Sequence, residues 1–147
     1  MPDFGFSIVP KNFFFDRAAV QAALTVGNRK ALSKAGAFVR TRAQTSMRKR
    51  KAPSAPGQPP SVHVGTLKRL LFFSYDPNAS SVVIGPVKFG RGEAPNVLEF
   101  GGETTVSQNG VQKRVTVKPR PYMGPALRIE TERGNVVGAW ADTFGKD

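Results

Sequence analysis

Few side chains in these 147 residues have the type and spacing that covalent chemistry requires. His63 is the one histidine and there is no cysteine, so thiolate ligands and disulfides are excluded. A general base would have to be that imidazole or a carboxylate. His63 stands in a proline-rich stretch, where a solvated or packing role is expected. The carboxylates are dispersed. Glu130 and Glu132, two positions apart, point about 200° apart on a helix and form no acid/base pair. No His, Asp or Glu cluster has metal-ligand spacing. Gly90-Arg91-Gly92 lacks the strand–glycine–helix setting of a phosphate loop. The expectation is a non-enzymatic protein that uses no metal and no cofactor.

Charge is the stronger signal. The formal net charge is +12. Ten basic residues fall between Arg17 and Lys51 (Arg17, Arg29, Lys30, Lys34, Arg40, Arg42, Arg48, Lys49, Arg50 and Lys51) with no acidic one. The rest of the chain is close to neutral. Such a segment suits an acidic partner, which can be a nucleic acid or a neighbouring subunit. Arg40, Arg42, Arg48, Lys49, Arg50 and Lys51 are the candidate contact residues, and a solvated helix face is the competing reading. No aromatic interleaves with residues 40–51, as a single-strand stacking platform would prefer. No helix-turn-helix or RNA-binding signature is present.

The elements that would position these groups follow from periodicity. One domain of 147 residues is expected, with 15 glycines and 12 prolines signalling long irregular connections. Residues 3–9 alternate Phe4, Phe6 and Ile8 as in a half-buried strand. Phe13–Phe15 precede Asp16, an N-cap for a helix over 16–47, with a staple onto Val20. Val20, Leu24, Ala31, Ala35 and Phe38 form the predicted apolar stripe, with Leu32 and Val39 on its flank. Arg42 projects onto that stripe, so either burial has faded there or a partner meets it. Gly27 predicts a kink or short break. The alanines permit close approach of other elements.

Residues 48–65 read as a basic, proline-rich linker or arm, extended and able to reach a neighbour. Residues 66–118 read as an antiparallel sheet. One hairpin lies across Asp76-Pro77-Asn78 and another across Asn109-Gly110, and 96–100 form a helical turn or strand. A helix is expected over 123–133, closed by Gly134, with a tail over 134–147 that could continue as helix. The class is α+β: a long N-terminal and a C-terminal helix packed on an antiparallel sheet, with an extended proline-rich loop. No signal-peptide pattern and no apolar run of membrane-spanning length is present, so an intracellular protein without a membrane partner is the default.

Two motifs remain. Glu99-Phe100-Gly101-Gly102 suggests a tight chain reversal with Phe100 inserted in the core. Pro119–Leu127 suggests a rigid helix entry with Tyr122 or Met123 as a plug. With Gly65-Thr66-Leu67-Lys68 before them, these residues resemble a pattern of the small neck and tail-completion proteins of long-tailed bacteriophages. That pattern is a basic, alanine-rich helix, a Thr-Gly-x-Leu-Arg-like segment, a Glu-Phe-Gly element, and an aromatic-Pro-rich entry to the last helix. Here Gly65-Thr66 is in inverted order, and Tyr122-Met123 stands where a Phe-Leu pair is usual. The resemblance implies structural motif positions at Leu67, Glu99, Phe100, Gly101, Pro121, Tyr122, Met123, Pro125 and Ala126. It also implies a homo-oligomeric ring, a hexamer or dodecamer, at the head–tail interface of the virion, assembled in the host cytoplasm. Its neighbours would be head-completion and tail-tube or terminator proteins, and genomic DNA would pass through its lumen. A free-standing nucleic-acid-binding protein is the alternative.

Overall fold

The computed structural model describes residues 17–87 and 94–144. The strand over 3–9, the Phe13–Phe15 and Asp16 helix start, and Gly90–Gly92 lie outside the described residues. The elements in chain order are α1 (Arg17–Ser46), α2 (Thr66–Arg69), β1 (Leu71–Asp76), β2 (Ser81–Pro86), α3 (Ala94–Phe100), β3 (Gly102–Gln108), β4 (Val111–Val117), α4 (Met123–Glu132) and α5 (Asn135–Phe144). The fold is α+β, with the long N-terminal helix as its spine. Among the described residues no helix is long and apolar enough to cross a membrane.

The buried line of α1 shares Ala31 and Ala35 with the expected stripe, and Val39 with its flank, and departs from it at the other positions. Gly27, Ala31, Ala35, Val39, Ala43 and Met47 are buried, each four residues after the last, with Gly36 beside them. This is an i±4 ridge of mostly small side chains. Val20 and Leu24 are 39% and 55% exposed, and Phe38 is only half-buried. Small residues won because four elements (α4, α5, β1 and β2) pack on this one helix. Gly36 shows the constraint: a Cβ there would stand 2.9 Å from Val82 Cγ2 and 3.1 Å from Phe73 Cδ2. Gly27 does not break the helix; it makes room for the Phe144 ring of α5, which a methyl group would overlap. Trp140 Nε1 donates to Asn28 Oδ1 at 3.0 Å, and Lys34 pairs with Asp142, so α5 is tied along the same stretch.

Val39, Ala43, Met47, Val62, Leu71, Tyr122 and Ala126 form the central core, with Leu67, Ile84, Leu98, Met123 and Val136 packed around it. Tyr122 is 1% exposed, as expected of a plug. Residues 48–65 are irregular but run back over their own chain. Val62 N–H donates to the Arg48 carbonyl at 3.0 Å, Gly57 N–H donates to the Pro119 carbonyl at 2.9 Å, and Arg120 Nε donates to the Ser54 carbonyl at 2.9 Å.

The strands do not continue as one sheet. β1 pairs antiparallel with β2 (Leu71 opposite Pro86, Asp76 opposite Ser81), and β3 pairs with β4 (Gly102 opposite Val117, Gln108 opposite Val111), as two separate two-stranded sheets. In the first turn, Asp76 Oδ1 accepts from Asn78 N–H at 2.9 Å, the side-chain-to-backbone bond that makes aspartate a turn former. In the second, Asn109 and Gly110 take φ of 54° and 79°, the left-handed pair that a tight hairpin needs. The segment 96–100 is helical, within α3. The expected tail helix exists as α5, separated from α4 by Gly134 at φ 75°.

Candidate functional site

The first turn of a helix leaves N–H groups with no intrahelical acceptor. At the start of α4, Tyr122 holds the capping position but its side chain makes no cap. Glu99 supplies the acceptor from α3. Its Oε2 accepts from Tyr122 N–H at 2.8 Å and Met123 N–H at 3.0 Å, and its Oε1 accepts from Gly124 N–H at 2.8 Å. The next residue, Pro125, has no N–H to satisfy. A carboxylate at this end also meets the positive pole of the helix dipole. The Arg120 N–H donates to the Leu98 carbonyl at 2.6 Å. Gly101, at φ 76°, turns the chain where a Cβ would be 2.9 Å from Pro119 Cδ. The two motifs that are 20 residues apart in sequence are therefore one joint. Burial and the Glu99 charge beside it push the Tyr122 phenol up to about 12.

Phe100 is a correction. It is 76% exposed, not inserted in the core, because Glu99 and Gly101 both face the joint and the residue between them is directed outward. Of the other motif positions, Ala126 is buried, Leu67 and Met123 are partly buried against the core, and Pro121 and Pro125 are half-buried.

A second polar cluster lies where α1, α4 and α5 meet. Arg42 Nε donates to Glu130 Oε1 at 2.6 Å, and Asn135 Nδ2 donates to Glu130 Oε2 at 2.6 Å. Glu130 is 3% exposed. The Asn135 hydrogen bond, then the Arg42 pair, hold its carboxyl below the ordinary value against the opposing effect of burial. Arg42 on the apolar stripe thus meets a partner, an internal carboxylate. The signal for Glu130 was available in that misplaced arginine, which required an acid from elsewhere in the chain.

Arg40 is also engaged. Its Nε donates to the Leu71 carbonyl at 2.6 Å, and its guanidinium lies 5.6 Å from the Phe72 ring centre. It lines an open cavity of about 490 Å³ with Gln44, Thr45, Lys68 and Arg69. Sequence reasoning did not include Lys68 and Arg69 among the contact residues; the Gln44 side chain, donating to the Lys68 carbonyl at 2.7 Å, ties α2 beside α1 there. Arg48, Lys49, Arg50 and Lys51 are exposed just past the C-terminal end of α1. Cations there are also favoured by the negative end of that helix. The six expected contact residues therefore divide into two partly exposed ones engaged by partners within the fold and four left on the surface.

An apolar groove of about 680 Å³ runs between α1, β2, α3 and α4. Its lining includes Val82, Ile84, Pro95, Met123 and Leu127, with Phe100 beside them and, among the described residues, Glu99 as its one charged group. His63 is exposed in the 48–65 segment. Among the described residues no group of three His, Cys, Asp or Glu side chains could hold a metal.

No protein-family model, curated protein or solved structure matches this chain.

Proposed function

We propose that this chain is a non-enzymatic structural subunit of a bacteriophage neck, joining capsid to tail as a member of a homo-oligomeric ring. The observation that carries the reading is the joint at the start of α4. The Glu99-Phe100-Gly101 and Arg120–Leu127 motifs, which resemble those of neck and tail-completion proteins, are locked together by three hydrogen bonds to one carboxylate. The joint holds the apolar groove open and leaves Phe100 exposed on it, a surface suited to another protein chain. Electron microscopy of particles made without this protein tests the reading. Separate filled capsids and tails are expected; normally joined, infectious virions would overturn it.

A second reading, a free-standing nucleic-acid-binding protein, is favoured by the cavity that gathers Arg40, Lys68 and Arg69 near the exposed Arg48–Lys51 run. Measuring DNA affinity against salt separates the two. Tight binding by the monomer, with a steep slope that collapses when residues 48–51 are neutralised, supports the second reading. Negligible binding by the isolated chain supports the connector.

A further inference from the structure

The β3–β4 ribbon is sided. Opposite residues share a face, so Gly102 with Val117, Thr104 with Val115, Val106 with Lys113, and Gln108 with Val111 lie on one side. Glu103 with Thr116, Thr105 with Arg114, and Ser107 with Gln112 lie on the other. Four valines on one face are the pattern of a surface to be covered. Yet Val106 is 46% and Val111 67% exposed, and the ribbon's main support is α3 at its base. An isolated two-stranded hairpin is marginal in water.

The apolar groove is complementary to that face. Among the described residues its lining is mainly apolar with one carboxylate, Glu99, whereas the ribbon face carries four valines beside Thr104 and Gln108, with one cation, Lys113. Glu99 accepts three hydrogen bonds, and a carboxylate offers about four acceptor positions, so one stays open. The volume of about 680 Å³ accommodates several valine side chains. Within one chain the tip does not reach the groove. The ribbon leaves from α3, which is itself a wall of the groove, and a seven-residue strand carries its tip about 24 Å away.

We infer that the β3–β4 ribbon of one copy docks its valine face in the groove between β2, α3 and α4 of a second copy, with Lys113 reaching Glu99. Ribbon and groove are different surfaces of the same chain, so in the ring reading the contact runs head-to-tail and repeats around an axis, whereas reciprocal exchange between two copies would close a dimer. The inference rests on the ring reading above and specifies the surfaces that close the ring.

The absence of cysteine makes the test direct. V111C and L127C, both at exposed positions, are prepared separately, mixed as full chains at high concentration and oxidised with diamide. The mixture is expected to yield a disulfide-linked dimer severalfold above either variant alone, and the double variant a ladder of higher species. Adding K113E should cut that yield severalfold, whereas K118E, with the same change of charge near the base of the ribbon, should leave it unchanged. No mixed disulfide, or a V111C product as abundant alone as in the mixture, overturns the docking. Sedimentation showing oligomers without the mixed disulfide would remove this interface and leave the ring standing. Joined virions without the protein would remove the ring and leave the cross-link intact.

Discussion

The α4 joint and the β3–β4 ribbon are built from similar raw material and behave oppositely. Both contain glycine turns, a carboxylate and apolar side chains within about 25 residues of each other. At the joint, the Glu99 carboxylate accepts three backbone donors, and Tyr122 is sealed beneath it at 1% exposure. On the ribbon, Glu103 faces Arg114 across 3.8 Å with both side chains largely in water. Such a pair contributes little. The same residue types stabilise the fold in one place and leave a surface available in the other. The difference is whether α1 and its ridge of small residues lie close enough to exclude water.

That contrast can be broken most forcefully at the other buried carboxylate. Arg42→Met leaves Glu130 buried with the Asn135 hydrogen bond and only the Arg133 charge nearby, and should cost about 3 kcal/mol of stability in urea titrations. Arg42→Met with Glu130→Leu should recover much of it, because no buried charge is then left unpaired. The Glu130 carboxyl is held below its ordinary 4.5, so its contribution is complete above about that pH and is lost as pH falls toward the folded value. The acid limb of a stability–pH curve should therefore flatten in the double variant.

Tyr122 gives the next effect, with the opposite sign. Its phenol is raised from 10.0 to about 12, so between those values the unfolded chain is ionised while the folded chain stays neutral. Stability is complete below pH 10 and declines as pH rises through that window, by up to about 3 kcal/mol. Tyr122→Phe should remove this alkaline loss, which denaturation at pH 9 and pH 11.5 will show.

Glu99→Ala removes the acceptor of three N–H groups and should destabilise by about 2 kcal/mol, with Glu99→Gln costing less because one amide oxygen still accepts. Gly36→Ala, pressed against Val82 and Phe73, should cost about 1 to 2 kcal/mol. On the ribbon, Val106→Ser and Val111→Ser should change monomer stability by no more than about 0.5 kcal/mol. If these last two were as damaging as Glu99→Ala, the ribbon would be part of the monomer core and the contrast would fail.

Local chemistry accounts for what was legible beforehand. The run of α1 through the described residues, the Asn109-Gly110 hairpin and the Gly134 stop follow from backbone preferences and stand where expected; of the two candidate plugs, Tyr122 and Met123, the fold buries Tyr122 fully. The choice of buried face on α1 followed only in part. The expected stripe includes Ala31 and Ala35, which are buried, but hydrophobicity also pointed to Val20 and Leu24, where close packing selected Gly27 and Ala43 instead. Phe100 misled for a related reason: apolarity says that burial is favourable but not which neighbour occupies the space.

The sequence by itself determined the class of fold, the element order, and the concentration of positive charge in one helix and its continuation. These depend on periodicity, turn residues and composition, which act over a few residues. Only the tertiary structure decided that Arg42 belongs to Glu130, that Glu99 caps a helix 23 residues onward, and that Lys68 and Arg69 join Arg40. It also decided that the strands form two small sheets, one of which leaves Val106 and Val111 exposed near its tip. Those outcomes depend on which distant groups exclude water together, and that is a property of packing rather than of any stretch of chain.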